Sequence, residues 1–248
     1  MYNHVLYTPF FHESVPLDEK ELLDSFTEEI HLAREQVLYF EGDHGDSMYV
    51  VRSGTLKIFR EYHGVQMVLG HQFPGEAVGE LEVFHYSSVR TASVAAIEET
   101  VVWRLPAPEM RSIAFRYPGL LYKTVYILSE RLTQADRKIE YLAFYDVRIR
   151  TANLLLDLLT NFGVRTEKGI RIGWKLTHQH AAAMIGASRE SVSRALRELQ
   201  MEGVIELHKR TVYILDEERL KEEADTSNGI SHDRAWHRTQ SYLDHKNE

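Results

Sequence analysis

Between Leu121 and Leu142 the apolar positions fall at Leu121, Val125, Leu128, Leu132, Ala135, Ile139 and Leu142, in steps that alternate four and three. This heptad seam, sustained over three repeats, is narrower than the stripe of a helix packed on a globular core, and it predicts a long helix paired with a second copy of itself. A long amphipathic helix lying on its own domain is the alternative that the pattern leaves open. Glu130, Arg131, Arg137, Lys138 and Glu140 occupy the other faces and are expected to be solvated.

The texture differs on the two sides of this helix. Upstream, one helical segment is expected over Asp18 to Leu32, as a lid or edge helix with Leu22, Leu23, Phe26 and Ile30 on one side. From Val37 to Leu105 short runs of valine, isoleucine and aromatics are punctuated by seven glycines between Gly42 and Gly79, the texture of many short strands in a sandwich or barrel. Leu56 and Ile58 alternate with Lys57, and Val65, Met67 and Leu69 alternate with Gln66 and Val68, which predicts a sheet with an inner and an outer face. Pro106 and Pro108 are expected to end the strands, and Pro118-Gly119 to open the seam helix.

Downstream, a leucine-rich helix is predicted over Arg148 to Phe162, closed by Gly163, followed by a short strand carrying Ile170, Ile172 and Trp174. Two brief helices follow, Gln179 to Ile185 and Arg189 to Met201. Next comes a hairpin in which Val204, Ile205 and Leu207 pair with Val212 and Ile214 across Lys209-Arg210. From Lys221 the chain is polar, with Trp236 and Tyr242 as isolated anchors, and it reads as frayed.

Composition narrows the function. The 248 residues are 44% hydrophobic and 27% charged, an ordinary globular balance with room for two modest domains. There is no cysteine, which excludes disulfides, thiolate metal sites and cysteine-held clusters. No run is apolar enough for a membrane helix, and the acidic start around Asp18, Glu19 and Glu21 lacks a targeting signal, so a cytoplasmic protein is expected. The net charge of -8 argues against a chain coated in nucleic acid, yet Arg165 to Leu215 holds nine Lys or Arg against five Glu. A basic module inside an acidic chain needs a partner.

Thr177 to Arg194 has the spacing of a helix-turn-helix. Ala182 is small where two helices would cross, Gly186 sits where the turn needs positive φ, Ser188 is placed to cap the second helix, and Val192 and Leu196 face inward. The outer face then presents Arg189, Glu190, Ser193, Arg194 and Arg197. Arginine makes a bidentate bond to guanine and glutamate accepts from cytosine, so double-stranded DNA is the expected partner. The expected contacts are Thr177, Gln179, Ser188, Arg189, Glu190, Ser193 and Arg194, with Lys209 on the hairpin.

A second constellation is Gly79-Glu80-Leu81, followed by Arg90-Thr91. Backbone amides beside a glycine, with an arginine and a hydroxyl, suit an anionic phosphate, while a nearby glutamate accepts from ribose hydroxyls. The alternative is a turn held by a Glu80–Arg90 ion pair.

With these two motifs in register about the seam helix, the stretch from Val37 to Leu215 resembles the cyclic-AMP receptor protein and fumarate-nitrate reductase regulator family of bacterial transcription factors. The resemblance implies an α+β fold: a jelly-roll (β-roll) sensor of the cyclic-nucleotide-binding type over 1–117, a dimerisation helix and hinge over 118–146, and a winged helix-turn-helix over 147–220, before the tail 221–248. It implies a homodimer that reads a palindrome, with RNA polymerase as a further partner, and a hinge at Phe144 to Asp146. In the family's cyclic-AMP binders the counterpart of Glu80 holds the ribose and those of Arg90 and Thr91 hold the phosphate. Arginine, glutamate and arginine at the reading positions accompany TGTGA-like half-sites, whereas glutamate, serine and arginine accompany TTGAT-like ones.

Two departures bear on the effector. Where those binders have a threonine and serine for the base, this chain has Ala135-Asp136, and the usually small position after Gly79-Glu80-Leu81 is Glu82, whose charge would repel a phosphate if it pointed inward. The expected ligand-binding set is Gly79, Glu80, Leu81, Arg90, Thr91, Ala135 and Asp136, with the effector left open between cyclic AMP, another small molecule such as haem, and none. No catalytic or metal-binding residue is expected. A cupin-type enzyme needs converging histidines, and His44, His63, His71 and His85 are scattered along the β-roll.

Overall fold

The computed structural model describes residues 2–224 and 234–236. The chain divides into two compact units, Met1–Thr133 and Gln134–Glu248.

The first unit opens with a short helix, α1 (Lys20–Asp24), followed by β1 (Glu28–Leu32), β2 (Val37–Tyr39), β3 (Ser47–Ser53), β4 (Leu56–Tyr62), β5 (Val65–Gln72) and β6 (Ala77–Val78). A single-turn helix α2 (Glu80–Phe84), β7 (Ser93–Ala96), β8 (Thr100–Pro106), α3 (Ala107–Arg116) and the first part of the long α4 (Pro118–Phe144), to Thr133, complete it. The strands form two antiparallel four-stranded sheets, in the orders β1-β8-β3-β6 and β2-β7-β4-β5. Leu32, Tyr49, Val51, Val78 and Val102 from the first sheet meet Leu56, Val94 and Ala96 from the second in one core. Strand side chains alternate faces, so the neighbours Met48 and Val50 point the other way, into a second core with Phe10, Phe11, Met110 and Leu120. β3 is therefore covered on both sides and reads as a continuous apolar run.

Two local expectations are overturned here. The helix expected over Asp18 to Leu32 stops at Asp24, because Glu28–Leu32 pairs antiparallel with β8 and carries Leu32 into the sandwich core. In β5 the buried residues are Val68 and Gln72, while Val65 and Leu69 are exposed, the opposite phase to the one expected. The ladder sets Ile58 opposite Gly70 and Phe59 opposite Val68, leaving Leu69 as the extra residue of a bulge. Residues 5–15 also enter the core through Val5, Leu6, Phe10, Phe11 and Val15, with no periodicity to announce it.

Pro106 ends β8 as expected, but Pro108 then sits in the first turn of α3, where its missing N–H costs no helix bond. On α4 one face packs on its own unit, as the second alternative has it, and another face is open. Leu120, Lys123 and Thr124 are buried, and Leu121 and Ile127 pack on the unit's own core. Lys123 Nζ donates to Pro9 O at 2.7 Å and to His12 O, which gives a buried ammonium its acceptors. On another face Val125, Leu132 and Ile139 are 61%, 63% and 64% exposed, so most of the heptad row has no cover among the described residues.

In the second unit the end of α4 is followed by α5 (Val147–Phe162), β9 (Gly163–Thr166), β10 (Gly169–Ile172), α6 (His178–Ile185), α7 (Arg189–Met201), β11 (Ile205–His208), β12 (Thr211–Ile214) and α8 (Glu217–Glu223). Asp146 caps α5 by accepting from Ile149 N at 2.9 Å, and Tyr145-Asp146 is the break where a hinge was expected. α5 is buried from Thr151 to Leu158 because it is the central element, touched by α6, α7, α8, β9 and β10. The expected hairpin forms with Ile205 opposite Ile214 and Leu207 opposite Val212, and it joins β10 and β9 in one sheet. Trp174 lies beyond the strand it was assigned to, which ends at Ile172.

Arg137, expected to be solvated, instead holds the buried Asp157 at 2.9 Å, with Arg234 on the other carboxylate oxygen at 2.7 Å. Burial pushes the Asp157 carboxyl up and the two guanidinium groups oppose that rise. Where the C-terminal stretch is described, it is packed rather than frayed. α8 runs to Glu223, and Trp236 sits edge-on to Phe162 and Trp174, both at 5.7 Å. Tyr242 lies outside the described residues.

Candidate nucleic-acid interface and effector site

Local chemistry closes each end of the helix pair α6 and α7. Thr177 Oγ1 accepts from His180 N and Ser188 Oγ accepts from Ser191 N, both at 3.1 Å, so each helix has its side-chain N-cap. Gly186 adopts φ 62 and ψ 48, the left-handed conformation that a side chain resists, and Ala187 N donates back to Ala182 O at 3.0 Å. Arg150 of α5 supplies the remaining partners, donating to Ile185 O at 2.8 Å and Gly186 O at 3.3 Å.

α7 buries Val192, Ala195, Leu196 and Leu199 and turns Arg189, Glu190, Arg194 and Arg197 to solvent. The arginines of this unit fall into two groups. Arg137, Arg148, Arg219 and Arg234 are ion-paired and Arg150 is hydrogen-bonded, whereas Arg189, Arg194 and Arg197 have no ion pair or side-chain hydrogen bond among the described residues. Arg148 bonds Glu223, Glu202 and Glu198 at once, and these bonds hold its guanidinium above its ordinary pKa and Glu202 below its own. The paired group locks the module together; Arg165 and Arg171 on β9 and β10 and Arg210 on the hairpin also lack such bonds among the described residues, and Arg189, Arg194 and Arg197 share the outer face of one helix.

Of the other expected contacts, Gln179, Ser188 and Lys209 are exposed and Thr177 is half-buried at its cap. Ser193 is half-buried and bonded to His178 Nδ1 at 2.7 Å, so its hydroxyl ties α7 to α6. Lys209 sits at the hairpin tip with φ 57, and the adjoining Arg210 O accepts from Leu176 N, which anchors the hairpin beside the α6 cap.

In the β-roll, Gly79 has φ 77, and a Cβ there would lie 2.5 Å from an Arg90 guanidinium nitrogen, so both backbone and space require glycine. Glu80, Glu82 and Arg90 are 0%, 4% and 2% exposed. Arg90 donates to Ser47 O at 2.6 Å and Glu82 Oε2 at 2.9 Å, and its guanidinium lies 4.0 Å from the centre of the Tyr39 ring. Burial pushes the Tyr39 phenol up, so the ring stays neutral under that cation. The second Glu82 oxygen accepts from Thr91 N at 3.2 Å.

The Glu80–Arg90 pair that the sequence allowed does not form. Glu80 pairs with Arg131 of α4 at 2.7 Å, and neither Glu80 oxygen has a hydrogen bond among the described residues. Arg131, expected to be solvated, also donates to Ala77 O at 2.9 Å. Its position was legible: it stands seven residues after the buried Thr124 and so shares that face of α4. Tyr39, Ser47 and Tyr49 are further residues at this site that carried no local signal. Leu81 and Thr91 lie at its edge, exposed, and Ala135 and Asp136 are exposed on the part of α4 that belongs to the second unit.

His44, His63 and His85 are exposed and His71 is half-buried. Among the described residues no three His, Asp or Glu side chains gather as a metal site. No helix among them is long and apolar enough to cross a membrane.

Comparison with known proteins agrees with both units. Residues 29–117 match the family model of the cyclic nucleotide-binding domain, and residues 149–223 match that of the Crp-like helix-turn-helix domain. The chain is 32% identical to the cyclic AMP receptor protein of Thermus thermophilus, over 87% of this chain and 96% of that protein. It is also 32% identical to a CRP-like cAMP-activated global transcriptional regulator of Mycobacterium tuberculosis, over 79% and 87%. Among solved structures, the c-di-GMP responsive global regulator CLP of Xanthomonas campestris superposes with a TM-score of 0.72 at 26% identity, over 80% of this chain and 99% of that one. A cyclic-nucleotide-binding β-roll, a long helix and a Crp-like helix-turn-helix in one chain, with regulators rather than enzymes as relatives, make this protein a member of the CRP/FNR family of transcription regulators.

Proposed function

We propose that the protein acts as a homodimer that reads a palindromic DNA site with α7 and regulates transcription by contact with RNA polymerase. The observation that carries this reading is the outer face of α7: Arg137, Arg148, Arg150, Arg219 and Arg234 bond carboxylates or carbonyls, whereas Arg189, Arg194 and Arg197 stand together on one exposed helix face with no ion pair or side-chain hydrogen bond among the described residues. Arg189, Glu190 and Arg194 are the residues for base edges, and Lys209 at the hairpin tip is an anchor for the phosphate backbone. A half-site containing a G·C pair fits Arg194 and Glu190. Thr177 and Ser188, as caps, and Gln179 and Ser193 flank this surface.

The open heptad row on α4 supports the dimer. α4 has 27 residues and is therefore about 40 Å long, enough for three heptads of self-pairing through Val125, Leu128, Leu132, Ala135, Ile139 and Leu142. A two-fold dimer sets its reading helices about 34 Å apart, so half-sites should be centred about ten base pairs from each other. The β-roll is the sensing unit, with Gly79, Glu80, Leu81, Arg90 and Thr91 at the place where a small-molecule signal would act.

The test is selection of bound sequences from random duplex DNA with the full chain. A two-fold symmetric consensus is expected. Enrichment of an asymmetric site, or of none, would remove the palindrome and with it the dimeric reading.

A further inference from the structure

We infer that Glu82 is a built-in substitute for the effector's phosphate: its carboxylate occupies the anion cradle of the β-roll and keeps cyclic nucleotides out of the native protein. The inference rests on the β-roll being the sensing unit and concerns what fills its site.

The donors come first. A buried guanidinium and a neighbouring backbone N–H, aimed at one point, form a cradle for an anion with two charge-sharing oxygens on one atom. Arg90 and Thr91 N are such a pair, and each of them bonds a different oxygen of the Glu82 carboxylate, at 2.9 Å and 3.2 Å. A cyclic nucleotide, the ligand class of the family matched by residues 29–117, offers the same feature in its phosphodiester. The two anions therefore compete for the same donors.

Charge decides against both being present. The site holds two cations, Arg90 and Arg131, and two anions, Glu80 and Glu82, so its formal charge is zero. A phosphodiester added to that set would be an unpaired anion next to Glu82 in a water-poor site. Without Glu82 the same set carries one positive charge, which a singly charged phosphodiester neutralises. Space points the same way. A single Cβ added at Gly45 would stand 2.9 Å from Glu82 Cβ and 3.1 Å from Arg90 Cζ, so the pair is already packed to contact on that side. The carboxylate of Glu80, ion-paired to Arg131 but with no hydrogen bond to either oxygen among the described residues, is left able to accept from a ribose if the phosphate place is vacated.

The experiment is calorimetric titration of the full chain with cyclic AMP and with cyclic GMP, on native protein, Glu82→Ala, and Glu82→Ala combined with Arg90→Ala. The native protein is expected to give no binding up to about 1 mM nucleotide, a free energy no better than about -4 kcal/mol. Glu82→Ala is expected to gain at least about tenfold in affinity for one of the two, and Arg90→Ala to remove that gain. Glu82→Ser, which also vacates the cradle but leaves a polar group there, stands in if the alanine variant fails to melt cooperatively. Native protein that binds either nucleotide below about 100 μM overturns the inference. So does a folded Glu82 variant that gains nothing. DNA binding by the same preparations is followed by fluorescence anisotropy, and its absence from all of them would count against the regulator reading while leaving the nucleotide result intact.

Discussion

Arg131 of α4 holds its guanidinium 2.7 Å from the carboxylate of Glu80, a side chain with no solvent exposure in the β-roll. The long helix therefore carries one half of an ion pair whose other half lies in the β-roll. Removing one partner of such a buried pair strands the other charge, which costs about 3 to 5 kcal/mol, while replacing both is far milder. Arg131→Met should lower the urea midpoint sharply, and Arg131→Met with Glu80→Gln should recover most of the loss. Equal losses in the single and double variants would mean that the pair contributes nothing beyond packing.

The open heptad row makes the proposed dimer separable from the fold. Leu132 is 63% exposed in the single chain, so Leu132→Glu, combined with Leu128→Glu, should leave the melting of each unit near native while sedimentation shows monomers. A charge at a self-paired seam is buried without a partner, which is the unfavourable case. Sedimentation that still shows a dimer would move the interface away from α4.

Reading and anchoring should divide between α7 and the hairpin. Arg194→Ala is expected to cost about 1 to 3 kcal/mol on the selected site and to relax preference at one base pair. Lys209→Ala should weaken all duplexes alike and flatten the salt dependence by about one unit. If Lys209→Ala alters the selected sequence and Arg194→Ala does not, the two roles are reversed.

The Arg148 cluster predicts an acid-sensitive module. Bonding to Arg148 holds Glu202 below its ordinary pKa, so this contribution to stability is present above about pH 4.5 and is lost as the pH falls through the depressed value. Asp157 acts with the opposite sign, since its raised pKa makes protonation favour the folded state. Comparing Arg148→Met with native protein removes that shared term. The deficit in Tm should be clear at pH 7 and should shrink by pH 3.5. A deficit that does not change with pH would assign Arg148 a packing role only.

What could be read from residue order alone was whatever neighbours along the chain decide. The boundaries of α7 agree to the residue at Arg189 and Met201, because Ser188 as cap and the apolar spacing of Val192, Leu196 and Leu199 lie within a few positions of one another. The long α4, the turn at Gly186 and the hairpin across Lys209-Arg210 are local in the same sense. Partners distant in sequence were settled only in three dimensions. Glu28–Leu32 has a plausible helical pattern, but it became a strand because β8, some seventy residues later, offered its backbone hydrogen bonds. Val68 faces inward because Phe59 does so across the ladder. At the effector site the sequence supplied Glu80, Glu82, Arg90 and Arg131 without saying who pairs with whom. Two anions and two cations of similar reach can be matched in more than one way, and only the placement of α2 against α4 and the Thr91 amide selected Glu82 for Arg90 and left Glu80 to Arg131.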